Sequence, residues 1–411
     1  MTMFPRFVVR ILLVVAALTA LASPPGRGAP RDDTLVVALP QGEEGTAALS
    51  DVVGNFSAAV GHPARLTLYD DVEVGRRLVE GERVELPDVL VVPSEYLPFL
   101  ADAGAIAALD GAVAKAVWDD FVPGVLDSIT YRGERWAIPL EGNPYGLFCN
   151  LALFRDAGIE QVPRTWEQTL AAAEALARDT DGDGEIDRYG YTQCTFQLPL
   201  LLLAYGCDLL NHDDTDAGFD NDAGLEALKL YHRLRDTSPS IGFEHGNIGM
   251  KVSIIGNLAR YAHLDYDVVA LPQGKRRANS FGGAEGILCV VVCRGAHEDQ
   301  ALEFARFLLR PEISLLWYTA TCDVPLRRSI LDSWAYRRFL RERPRVRTFV
   351  EELPYCRPRP CIKAYIEIKD ALAQVSHQVR ALDDPTDAQL RDLLDVAAAR
   401  VRVALAKERG H

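Results

Sequence analysis

YRGERWAIPLEGNPYGLFCN, residues Tyr131–Asn150, decides the architecture of this chain, and it runs on into LALFRDAGIEQVPRTWEQTLAAAEALA. Its first half reads as a short strand and its second half as another, both apolar and rich in β-branched or aromatic residues. Gly142-Asn143-Pro144 interrupts them. Glycine and proline set backbone direction, so an interruption of this kind is where two bodies join. A helix follows, announced by Pro163-Arg164-Thr165-Trp166, with Thr165 as its expected cap.

A chain of 411 residues is too long for one ordinary core and suits two lobes. The composition, 48% hydrophobic and 25% charged, is that of a globular protein. Acidic residues outnumber basic ones by 58 to 44, a formal charge of −14, which argues against a nucleic-acid surface built on clustered Lys and Arg. Basic clusters at Lys275-Arg276-Arg277 and from Arg337 to Arg347 read as solvated faces.

The N-terminus reads as an export signal over residues 1–22. Arg6 and Arg10 precede the short apolar run Ile11–Leu21, and Ala20-Leu21-Ala22 fits a small-x-small cleavage site. Residues 23–33 read as a flexible leader. The expected location is therefore periplasmic or otherwise extracytoplasmic. Eight cysteines in an exported chain permit disulfides. Cys356 and Cys361 flank a tight Arg-Pro-Arg-Pro loop that they are able to close, whereas Cys149, Cys194 and Cys289 read as buried thiols.

Beyond the leader, apolar strands alternate with helical patterns. Thr34–Leu39, Ala64–Tyr69 and Asp88–Val92 read as strands, with helices at Ala47–Ala59, Val72–Val79 and Tyr96–Ala103. This alternation argues for α/β layers with mainly parallel sheets. Later helices are expected at Trp166–Arg178, Leu198–Tyr205, Asp222–Arg235, His297–Leu309, Ile313–Thr321, Ala364–Val379 and Asp387–Lys407. Strands are expected at Val268–Leu271, Gly286–Val292 and Val324–Arg327.

Several pieces, in order along the chain, resemble the extracytoplasmic solute-binding proteins of ABC importers, family 1, which includes maltodextrin binders. They are Leu86–Pro93 with Leu100–Asp110, Asn150–Gly158, Pro163–Glu167, Tyr189–Tyr191, Val269–Gly274 with Ser280–Gly283, Val324–Ser329 and Arg359–Tyr365. The resemblance implies a two-lobed periplasmic-binding-protein fold (type II), each lobe a mainly parallel sheet flanked by helices, joined by hinge crossings. One lobe would take residues 34–142 and 266–328, the other 143–265 and 329–408. A small polar solute, a sugar first, would sit between the lobes and be delivered to membrane permease subunits by a monomer.

By the same resemblance the ligand-binding set is Glu43 and Glu44 after the first strand, Glu95 and Tyr96 after the third, Asn143 and Tyr145 at the crossing, Gln193, Thr195 and Phe196 on the opposite wall, and Gly282, Gly283 and Glu285 after the return crossing. Carboxylates, amides and aromatic planes suit the hydroxyls and flat C–H faces of a sugar. Trp136, Trp317 and Tyr318 read as structural. No tryptophan stands where malto-oligosaccharide binders often stack one, since that segment reads Gly256-Asn257-Leu258. This favours a smaller sugar or another polar solute.

Asp179, Asp181, Asp183 and Asp187 alternate around Gly184 in a pattern that suits a structural calcium ion or a solvated acidic turn. The twelfth place, where an EF-hand carries glutamate, holds Gly190. No cofactor is required by the leading reading. Catalytic motifs of the GxSxG, HExxH and phosphate-loop kinds are absent from the sequence. The alternatives are a polyamine binder, an exported carbohydrate-active hydrolase, or a sensor using the same clamp.

Overall fold

The computed structural model describes residues 33–42, 45–194, 196–234, 242–282 and 286–409. The export signal and the leader up to residue 32 lie outside the described residues, as do Glu43, Glu44, Thr195, Gly283 and Glu285.

The strands in chain order are β1 Leu35–Pro40, β2 Ala64–Tyr69, β3 Val89–Pro93, β4 Thr130–Tyr131, β5 Glu134–Arg135, β6 Ile138–Glu141, β7 Tyr145–Asn150, β8 Tyr189–Thr192, β9 Ile248–Ile254, β10 Tyr266–Ala270, β11 Asn279–Ser280, β12 Leu288–Val292 and β13 Cys356–Arg357. Two sheets carry the fold. The first has the order β2-β1-β3-β12-β6, the second β10-β7-β9-β8. β6 and β7 lie in different sheets although only Gly142, Asn143 and Pro144 separate them. The Tyr131–Asn150 stretch is therefore a crossing between two bodies.

Both sheets are mixed, where mainly parallel ones were expected. β1 runs parallel to β2 and β3, but β12 is antiparallel to β3 and β6. In the second sheet only β8 and β9 are parallel. The strand–helix–strand rule holds where one crossover returns the chain to the same sheet. It fails for β12 and β7, which enter their sheets from the other body. β10 also departs from the expected lobe assignment of residues 266–328, because Tyr266–Ala270 pairs with Asn150–Gly146 in the second sheet. Val324–Arg327 forms no strand; Arg327 makes one isolated bridge to Phe121.

Helices cover both sheets. The main ones are α1 Thr46–Val60, α2 Asp71–Val79, α3 Leu97–Asp102, α4 Trp166–Leu176, α5 Gln197–Tyr205, α6 Asp222–Arg233, α7 Glu298–Leu308, α8 Pro311–Thr321, α9 Trp334–Glu342, α10 Pro344–Glu352, α11 Tyr365–Arg380 and α12 Asp387–Arg409. α1 buries Leu49, Val52, Val53 and Phe56 on one face. Phe56 meets Phe304 and Phe307 of α7 edge-on, at 5.2 and 5.5 Å. Thr165 caps α4 as expected, its hydroxyl accepting from the Gln168 N–H at 3.2 Å. α5 is buried along its length from Gln197 to Ala204, because α6, α11 and the crossing pack around it.

Two cores result. The first runs from β1, β3 and β12 to α9 and α10, and continues onto one face of the second sheet through Phe148, Tyr261 and Tyr266. The second fills the other face with α4, α5, α6, α11 and α12. Each fully buried Val, Leu or Phe contributes roughly 1.5–3 kcal/mol. β3 and β7 are buried at every position, as strands covered on both faces must be. All eight cysteines are thiols, Cys356 and Cys361 included, and Cys149 and Cys289 are buried as expected. No helix among the described residues is long and apolar enough to cross a membrane.

Gly190 has a packing reason. It lies in β8 against α4, where a Cβ would fall 1.8 Å from the Ala173 carbonyl oxygen. We expect Gly190→Ala to lower stability by roughly 2–4 kcal/mol through forced separation of strand and helix. Urea unfolding measures it, and an unchanged midpoint refutes the close approach.

Candidate functional site

The crossing is held by side-chain amides. Asn143 is 1% exposed. Its Nδ2 donates to Glu141 Oε1 at 2.7 Å and to Asp323 Oδ1 at 2.8 Å, while its Oδ1 accepts from the Val324 N–H at 2.9 Å. Its backbone carbonyl accepts from the Gly282 N–H at 3.2 Å. Asn279 does the same work on the return segment. Its Oδ1 accepts from the Tyr145 N–H at 3.0 Å, and its Nδ2 donates to the Tyr145 carbonyl and to Glu352 Oε2, both at 2.8 Å. Glu352 is fully buried and its other oxygen takes Arg277.

Arg359 stands beside this knot and is 3% exposed. Its guanidinium donates to the carbonyls of Phe281 and Gly282 at 3.3 and 3.1 Å and to the Tyr365 hydroxyl at 2.7 Å. Its charge also acts on the nearby Tyr145 hydroxyl. The same group lies 3.8 Å over the Phe196 ring, which stacks on Tyr145 at 6.2 Å. Burial, opposed by Arg359, pushes the Tyr145 hydroxyl well above its ordinary value, so it stays a neutral donor and acceptor. Gly282 sits at φ +69°, where a Cβ would meet the Gly286 carbonyl oxygen at 2.0 Å. Only glycine fits that turn.

Glu95 follows β3 at its carboxyl end and is buried; both its oxygens lie 2.8 Å from Lys369 Nζ on α11. Tyr96 turns toward α2 instead, where a Cβ on Gly75 would come within 2.2 Å of its hydroxyl. On the opposite wall Gln193 Nε2 donates to the Tyr231 carbonyl at 2.8 Å. Gln193 Oε1 and Gln197 Nε2 are buried without a hydrogen bond. Trp317 is a buried core residue lying against Gly45, as its structural reading requires.

The structure thus brings Tyr145, Phe196 and Gly282 together around Arg359 and places Asn143 in the hinge itself. Arg359, Tyr365 and Lys369 went unread as site residues. Their signals were an arginine held between two prolines and an aromatic followed one turn later by a cation on an otherwise core-facing helix.

A second ion pair bridges α3 and the segment before α11, Lys363 to Asp102 at 2.5 Å, with Tyr131 donating to the same carboxylate at 3.2 Å. Two cavities flank this segment. One of about 780 Å³ is lined by Val79, Phe99, Ala364, Val396 and Val403; the other, of about 480 Å³, by Phe196, Ser280, Arg359, Asn211, His212 and Asp127. Both are of a size that holds a small molecule.

In the acidic loop, Asp179, Asp181 and Asp187 bring carboxylate oxygens within 4.8 Å of one another. Asp183 stands outside that group, its Oδ1 accepting from the Glu185 N–H. Asp179 is held below the usual carboxylate range by the N–H groups of Gly182 and Gly184.

Asn143→Ala should lower stability by roughly 2–3 kcal/mol, since it leaves the Val324 N–H and two carboxylates without their amide; a loss within 0.5 kcal/mol by urea titration, about the noise of a surface change, contradicts this role. Asp102 gives a pH signature. Burial works to raise its carboxyl, but the hydrogen bond and charge of Lys363, with Tyr131 and Arg132, outweigh it and hold the group low. A depressed folded value contributes stability above the unfolded value of about 3.9, lost as pH falls through the folded value. The stability gap between the parent and Asp102→Asn should therefore be present at pH 6 and close in acid; a gap independent of pH rules out the ion pair.

Comparison with known proteins agrees with this geometry. The family model described as bacterial extracellular solute-binding protein matches residues 74–314, more than half of the chain. Binding proteins of Brucella abortus are 23% identical over 347 residues, covering 78% of this chain and 80% of theirs. Among solved structures, the cyclic α-maltosyl-1,6-maltose binding protein of Arthrobacter globiformis superimposes with a TM-score of 0.76 at 22% identity, covering 91% of this chain and 99% of that one. An ABC transporter solute-binding protein of Thermotoga lettingae bound with α-D-tagatose gives 0.75 at 20% identity, covering 91% and 100%. The two-lobed fold is thus shared with both, and the chain belongs to the bacterial extracellular solute-binding protein family.

Proposed function

We propose that the protein is the solute-binding subunit of an ABC importer, capturing a sugar between its two lobes and handing it, chemically intact, to a membrane permease. The observation that carries this reading is the buried meeting of aromatic and polar groups from both lobes at the carboxyl end of β3. There Tyr145, Phe196 and Tyr365 surround Arg359, with Glu95 and Lys369 alongside. Ring faces and fixed donors and acceptors are what a sugar needs, and open sheets of this kind bind ligands beyond their strand ends. The Arthrobacter protein binds cyclic α-maltosyl-1,6-maltose and the Thermotoga protein was solved bound with α-D-tagatose, which supports the same solute class. The protein acts outside the cytoplasm, as a monomer and without catalysis. Calcium, where it binds, does so structurally at Asp179, Asp181 and Asp187.

A thermal-shift screen over mono- and oligosaccharides, polyamines and amino acids, with and without calcium, tests this. A cognate sugar at a hundredfold excess over its Kd stabilises by about 2.7 kcal/mol and raises Tm by several degrees. A shift confined to polyamines turns the solute reading over. Release of product from a glycan during incubation turns over the claim of intact delivery. A Tm that ignores calcium removes the ion from the acidic loop.

A further inference from the structure

Glu95 and Lys369 form an ion pair with one member from each body. Glu95 leaves the first sheet at the end of β3, and its carboxylate is almost wholly shielded from solvent. Lys369 rises from α11, which is packed into the second core through Tyr365, Ile368 and Leu372. It follows Tyr365 by one helical turn, so the ammonium and the Tyr365 ring lie on one helix face. Tyr365 is the residue whose hydroxyl takes the Arg359 hydrogen bond. The pair therefore adjoins the aromatic and guanidinium cluster from which the sugar reading was drawn.

We propose that Lys369 and Glu95 together select the net charge of the solute. This rests on the reading of the protein as a sugar binder and adds to it the residues that decide which polar solutes are refused. A carboxylate only accepts hydrogen bonds and an ammonium only donates them. A solute reaching this wall must serve both groups at once. Hydroxyls donate and accept, so an uncharged polyol satisfies both and leaves the pair's charges balanced. A polyamine brings donors alone and sets a cation against Lys369. An acidic sugar keeps hydroxyls that donate but adds a carboxylate that only accepts, and sets that anion against Glu95. Either leaves a shielded charge facing its own sign, which costs more than one lost hydrogen bond. Discrimination comes here from repulsion built on both sides of the contact.

The test is titration calorimetry with D-glucose, maltose, D-glucosamine, D-glucuronate and spermidine. The parent protein should take a neutral sugar at least about tenfold more tightly than any charged probe, a 1.4 kcal/mol difference. Lys369→Gln leaves Glu95 as the local charge, so the ratio of glucosamine to glucose affinity should rise about tenfold; Glu95→Gln should shift glucuronate in the same way. A purely structural pair would weaken all probes alike, and ratios unchanged in both variants overturn the proposal. So does a parent that takes spermidine as well as a neutral sugar. Silence of every sugar on the parent counts against the sugar reading itself, and small-angle scattering then judges the pair without a solute. Lys369→Glu sets two carboxylates across the lobes and should increase the radius of gyration, with Glu95→Lys/Lys369→Glu restoring it. A radius equal in all of them removes the pair from the contact between the lobes.

Discussion

The crossing between the two sheets must satisfy every backbone polar group it buries, and the rest of the structure depends on how it does so. Regular ladders end where the chain leaves one sheet and enters the next, so the exposed N–H and C=O groups need partners from side chains. Asn143 and Asn279 provide them because an amide donates and accepts from one planar group. Arg359 adds a charged donor set that reaches the Phe281 and Gly282 carbonyls at the same time as the Tyr365 hydroxyl. The hinge is thus a hydrogen-bonded knot, and the aromatic groups around it inherit their positions from it.

Seen this way, the division of labour among polar residues follows from burial and partner type. Asn143 is spent on the Val324 N–H and the Glu141 and Asp323 carboxylates, and Glu352 on Asn279 and Arg277. Glu95 is different, since its partner comes from the facing body. A contact of that kind responds to the distance between lobes, whereas the amide knot holds the chain path fixed.

Much of this was legible in the sequence. The Gly-Asn-Pro break, the Thr165 cap and the alternating apolar runs each act locally, and local signals survive in one dimension. Strand direction was not legible for β7, β10 and β12, because pairing partners lie more than a hundred residues away and the pleat period is the same either way round. The candidate site was half legible for the same reason. Tyr145 and Phe196, both named from the sequence, stack beside Arg359, but Arg359 and Lys369 gain meaning only when residues 281 and 95 come to meet them. Gly190 was a puzzle as a missing calcium ligand and is plain as a strand pressed on a helix backbone.

The place of β12 has a kinetic consequence. It fills the gap between β3 and β6, roughly two hundred residues after the former. The first lobe therefore has a slot in its middle until the ribosome has passed Val292, and its neighbours cannot zip together without that strand. Non-local pairing of this kind delays the folding nucleus. A polypeptide whose earliest-made half stays loose until late in synthesis is well matched to threading through a narrow pore before it becomes a rigid body.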